Sequence, residues 1–151
     1  MAPSERCCCC HARTCTWLLC LAEIGVALFT MGHTVSMHVL FPTEVANLQL
    51  STLLWAQFGL VFAWMAVTYF LLSALCKSTQ SCFIFHMLFT GVVMIFFFYC
   101  AVKSAFMGTV VFLAHPAVYG TLLAILLCCQ IAEYRCYKWL SIYRHFGVST
   151  I

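Results

Sequence analysis

Long apolar runs separated by short polar stretches dominate the chain. They cover roughly residues 16–36, 50–75, 82–102 and 107–131. Each approaches or exceeds the ~20 residues needed to cross the ~30 Å hydrocarbon core of a bilayer. None alternates polar and apolar residues as the strands of a membrane barrel would. The pattern predicts an all-α membrane protein with four transmembrane helices and very short loops. The second run exceeds a minimal crossing and is expected to tilt or protrude. The polar breaks fall around Phe41-Pro42-Thr43-Glu44, at Cys76-Lys77-Ser78-Thr79-Gln80-Ser81-Cys82, and at a tight link, Lys103-Ser104. This divides the chain into a cysteine-rich N-terminal segment (1–15), a membrane domain (16–131) and a C-terminal tail (132–151).

Composition strengthens this reading. With 65% hydrophobic and 7% charged residues and a mean hydropathy of +1.04, the chain cannot cover itself with a water-facing surface. The charges that remain set an orientation. Arg6, Arg13, Lys77, Arg135, Lys138 and Arg144 flank one face of the predicted bundle and only Lys103 the other. The positive-inside rule then places both termini and the turn at residues 76–82 in the cytosol. The first run is read as a true span, since it outlasts the ~7–15-residue apolar region of a signal peptide. Beyond the fourth run, Glu133 to Leu140 mixes aromatics and bases and reads as an interfacial anchoring belt.

Twelve cysteines would suggest a disulfide framework in a small secreted protein. Here nearly all fall near the face predicted to be cytosolic, where thiols stay reduced. Cys7, Cys8, Cys9 and Cys10, with Cys15 following, stand beside Arg6 and Arg13 just ahead of a span, which is the pattern of an S-acylation site. Cys7 and Cys10 also have CxxC spacing with His11 alongside, but the second ligand pair of a zinc site is missing. Ala2 excludes myristoylation.

Ionisable groups inside a membrane are costly and mark candidate sites. Glu23, His33, His86 and His115 are the ones within the runs. At ~1.5 Å rise per residue, Glu23 lies roughly 10 Å inside the cytosolic face, His86 somewhat shallower, and Thr68 and Tyr69 at similar depth on an opposed helix. A contact of Glu23 with His86 or Tyr69 is therefore expected. A haem needs two histidines at one depth on facing helices. The run boundaries put His33 near the non-cytosolic end, His115 mid-membrane and His86 near the cytosol, so no pair is level. The chain has no Asp, HExxH, GxSxG or phosphate-binding glycine loop, so the common enzyme templates find no foothold. A channel or transporter is weakly supported, for want of internal repeats or a row of charges. Ala22, Gly25 and Gly32 are small enough to allow close helix approach.

Read together, the landmarks Pro42-Thr43-Glu44, Ser78-Thr79-Gln80-Ser81 and Pro116-Ala117-Val118 resemble, in order and spacing, those of the transmembrane protein 107 family. The resemblance spans roughly Met37 to Leu127. It implies a small four-span protein with cytosolic termini, located in the membrane of the ciliary or flagellar transition zone. Its implied partners are the bilayer and other transition-zone membrane and membrane-associated proteins of the Meckel and Joubert syndrome module. Its implied work is cilium assembly and upkeep of the ciliary membrane diffusion barrier. Met65 and Gly120 stand where the family pattern carries acidic residues, and the cysteine-rich N-terminus lies outside it. The expected function is that of a non-enzymatic scaffold with no cofactor, nucleic acid or small-molecule substrate. The alternatives are an accessory subunit of a larger membrane enzyme or transporter complex, in the endoplasmic reticulum or another internal membrane, and a haem-binding oxidoreductase.

Overall fold

The computed structural model describes residues 6–7, 10–46, 48–75, 80–106 and 115–145. Two two-residue strands, β1 (Arg6–Cys7) and β2 (Cys10–His11), pair antiparallel ahead of the helices. Then follow α1 (Ala12–Leu40), a single turn α2 (Pro42–Val45), α3 (Leu48–Leu75), α4 (Gln80–Phe106) and α5 (His115–His145). Each of the four long helices contains a stretch long and apolar enough to cross a membrane: Thr14–Leu40, Leu50–Ser73, Ser81–Phe106 and His115–Lys138. In α2, Pro42 occupies the first turn, where its missing N–H costs nothing. The N–H of Ala46 donates to the Pro42 carbonyl at 2.9 Å and closes that turn.

The burial pattern explains why these helices assemble. In α4 the buried positions are Phe83, His86, Thr90, Val93, Phe97, Cys100 and Ser104. In α5 they are His115, Tyr119, Leu122, Leu126, Cys129, Glu133 and Cys136. Spacings of three and four alternate in both helices, which is the ~3.5-residue repeat of knobs-into-holes packing in a helical bundle. α3 follows the same rule, through Gln57, Val61, Trp64, Thr68 and Leu71. Around the ring α1 packs on α3, α3 on α4, α4 on α5 and α5 back on α1. The diagonals therefore join α1 to α4 and α3 to α5. The middle of the core is apolar, built from Ala27, Val61, Trp64, Val93, Phe97 and Leu126. The outer surface is apolar too, with Phe62, Phe70, Leu88, Ile95, Phe98 and Phe106 exposed. A water-soluble monomer rarely shows such a surface, whereas one facing lipid requires it.

Several boundaries differ from those expected. The fourth membrane helix is described from His115, the expected start at residue 107 lying outside the described residues, and it runs past 131 to His145, so Glu133 lies inside the candidate span and not in a tail. Hydropathy misplaced this element because it scores Glu133 as an exit signal, while the fold supplies that carboxylate with a buried partner. Lys103 and Ser104 do not form a link; both belong to α4, and Ser104 bonds back to the Ala101 carbonyl at 2.9 Å. Ala22, Gly25 and Gly32 all face outward, and a side-chain carbon added at either glycine would meet nothing within 4 Å. They do not mediate packing between the chain's own helices.

Candidate functional site in the bundle core

One layer of the core draws a polar group from every long helix: Glu23 from α1, Thr68 from α3, His86 from α4 and Glu133 from α5. All four are at most 2% exposed. Each occupies a seam position of its helix, so the repeat that buries the apolar residues carries these inward as well. His86 is the hub. Its Nδ1 lies 2.9 Å from Oε1 and 3.2 Å from Oε2 of Glu133. Its Nε2 lies 3.1 Å from Oγ1 of Thr68 and 3.0 Å from Oε2 of Glu23. The last contact crosses the α1 to α4 diagonal.

Hydrogen-bond roles follow from the donors present. The Thr68 hydroxyl donates to the Trp64 carbonyl at 3.1 Å, so toward His86 it accepts from Nε2–H. The proton between Nδ1 and Glu133 lies within that bond, on either partner. Oε2 of Glu23 approaches Nε2 without meeting hydrogen-bond geometry and has no hydrogen-bond partner. The neighbouring turns brace the layer: Trp64 Nε1 donates to Thr90 Oγ1 at 3.0 Å, and Gln130 Nε2 to the Met87 carbonyl at 3.1 Å. Cys20 and Cys129 are buried thiols one turn away along α1 and α5.

A second polar group lies toward the opposite end. Tyr119 donates to Gln57 Oε1 at 2.7 Å across the α3 to α5 diagonal. The rings of His33 and His115 meet at a centroid distance of 4.9 Å, nearly edge to face. A cavity of about 20 Å³ lies beside them, lined by Leu50, Leu54, Cys100, Ser104, His115 and Tyr119 among others. It has room for about one water. The expectation that no two membrane histidines share a depth fails here. His115, the first described residue of α5, is level with His33. With their rings in contact, a porphyrin cannot enter between them without parting α1 from α5.

The expected site residues separate accordingly. Glu23 and His86 meet. Tyr69 does not join them but is exposed on the outer face of α3, edge-on to Phe70. Thr68, its neighbour in sequence, takes the inward position because it falls on the seam with Trp64 and Leu71. Glu133, which the sequence places in an interfacial belt, is the member of the layer that the apolar pattern does not reveal. The signal that could have found it is its spacing of four from Cys129 and three from Cys136, continuing the seam of α5. Pro42 and Thr43 are exposed in α2, which also contains Glu44. Pro116, Ala117 and Val118 form the first turn of α5 beside its lipid-facing side. Gln80 and Ser81 open α4, whereas Ser78 and Thr79 lie outside the described residues. Of the proposed acylation sites, Cys15 is half-buried in α1. Cys7 and Cys10 lie in β1 and β2, and Cys8 and Cys9 lie outside the described residues. Comparison with protein-family profiles, curated proteins and solved structures returns no match.

Proposed function

We propose that this chain is a non-enzymatic membrane scaffold of the ciliary or flagellar transition zone, where it supports assembly of the Meckel and Joubert module, cilium assembly and the ciliary diffusion barrier. The location and the partners rest on the resemblance of its turn and helix motifs to the transmembrane protein 107 family. The scaffold role rests on one structural observation. The charged and strongly polar side chains within the spans, Glu23, Gln57, His86 and Glu133, turn inward, leaving large aromatic and aliphatic groups outward along the membrane depth. In a bilayer such a surface associates by close packing with other spans. Gly25 and Gly32, which face outward with open space around them, let a partner helix approach the α1 backbone closely. The cytosolic turn and tails then meet soluble partners, and acyl chains on Cys7 to Cys10 and Cys15 strengthen the hold on the membrane.

The test is the location of a tagged full-length chain expressed at native level in ciliated cells. The expected signal is a focus at the ciliary base, between the basal body and the axoneme. A signal spread through the endoplasmic reticulum or mitochondria, with none at the ciliary base, overturns the proposal.

A further inference from the structure

We infer that the layer formed by Glu23, His86 and Glu133 is a membrane-embedded binding site for one divalent transition-metal ion of the zinc class. This inference does not depend on the scaffold reading. The donor atoms of these three residues lie within 4.8 Å of one another, and all three are buried. On one side of the imidazole, Oε2 of Glu23 is 3.0 Å and Oγ1 of Thr68 3.1 Å from Nε2. These separations are close to those between neighbouring ligands of a metal whose bonds are ~2.0–2.2 Å long. On the other side, Glu133 grips Nδ1 at 2.9 Å. A carboxylate on the far nitrogen is the usual partner of a metal-bound histidine, since it fixes the tautomer and aims the free nitrogen at the ion. The Thr68 hydroxyl hydrogen is already committed to the Trp64 carbonyl, so its lone pairs face the same point.

A buried carboxylate oxygen that receives no hydrogen bond also points to a ligand. Glu23 is 2% exposed, and its Oε2 is aimed at His86 yet has no hydrogen-bond partner. A buried carboxylate oxygen held only by proximity to an imidazole, without a hydrogen bond, is expensive in hydrocarbon surroundings. Charge balance gives the cation its valence. With both carboxylates ionised and the imidazole neutral, the layer carries two negative charges. Either two protons or one divalent cation brings it to neutrality, and the cation also satisfies Oε2. One imidazole with oxygen donors suits zinc, manganese or ferrous iron better than calcium or magnesium, which prefer all-oxygen shells.

The N-terminal thiols could bind metal independently, so the test uses the full-length chain in detergent with Cys7, Cys8, Cys9 and Cys10 replaced by Ser. The protein is stripped with a chelator and titrated with Zn²⁺, and in parallel with Co²⁺ as a spectroscopic probe. One equivalent of Zn²⁺ per chain is expected, with a rise in thermal midpoint on loading. The Co²⁺ form is expected to show d–d bands without a thiolate charge-transfer band. Glu23→Gln keeps the shape of the side chain and should lose the bound equivalent while eluting as the parent does. Thr68→Val tests the hydroxyl without removing a charged group and should weaken binding at least tenfold. Absence of stoichiometric binding in the parent overturns the proposal, as does binding that survives Glu23→Gln unchanged. A thiolate band that disappears on Cys20→Ser or Cys129→Ser also overturns it, because it moves the ion to the thiols.

Discussion

At the residue scale, the cost of each polar side chain depends on what is left behind when it is removed. His86 contacts two buried carboxylates and a hydroxyl. Its loss strands both Glu23 and Glu133 in a medium that cannot solvate them. Breaking a buried charged pair from one side costs about 3–5 kcal/mol. Losing an ordinary hydrogen bond between membrane helices costs about 0.6 kcal/mol on average and up to ~1.7 kcal/mol. His86→Ala should therefore destabilise the bundle by about 3–5 kcal/mol, and Thr68→Val by ~1 kcal/mol or less. Reversible unfolding in mixed micelles measures both. Equal costs would mean that the layer is held by packing alone. Glu23 and His86 were legible as a pair, because depth along two helices that cross the membrane in the same direction follows from residue count. Glu133 was not, because hydropathy cannot distinguish a carboxylate leaving the membrane from one neutralised within it.

At the element scale, register decides whether the polar groups meet. His86, Thr90, Cys100 and Ser104 all face the core from α4 because their spacings stay on one seam. One inserted residue rotates everything beyond it by about 100°. An alanine inserted between Gly91 and Val92 should therefore keep His86 in its layer while turning Phe97 and Cys100 toward lipid, or the reverse. The hydrophobicity of the span is unchanged, so membrane insertion should persist while the compact, protease-resistant bundle is lost. Limited proteolysis and gel filtration in detergent distinguish these outcomes. Retention of the parent's resistance would show that the seam is not specified by register. The apolar runs predicted the existence of the four helices and placed three of their ends within two residues, at Leu75 and near Leu48 and Gln80. The expected start of the fourth run at 107 lies outside the described residues, and its expected end at 131 falls short of His145 because Glu133 lowers the local hydropathy.

At the scale of the whole molecule, four spans with short connections return the chain to the side from which it started. The uneven distribution of Arg and Lys predicts that this side is the cytosol. Epitope tags at both termini should become accessible when the plasma membrane alone is permeabilised, and an acceptor site for N-glycosylation placed near Phe41 should be modified. Modification of a site at either terminus, in place of one near Phe41, would invert the orientation. An inverted chain would also expose its N-terminal cysteines to an oxidising compartment and remove the basis for acylating them.

The sequence by itself determined the solvent of this protein and the number of its membrane-length helices. Both depend on total hydropathy along the chain and not on which side a residue faces. It could not determine which face of each helix turns inward. In a soluble bundle an apolar stripe marks that face, but here lipid accepts apolar groups on every side. The inward face is marked instead by sparse polar residues, such as Gln57, Thr68, His86 and Glu133. Only tertiary structure decided that they converge, because their contacts join helices distant along the chain, as His86 joins Glu133, and two cross the diagonals of the bundle. In hydrocarbon a polar group must find its partner within the protein, and that requirement sets the register at which the four helices close.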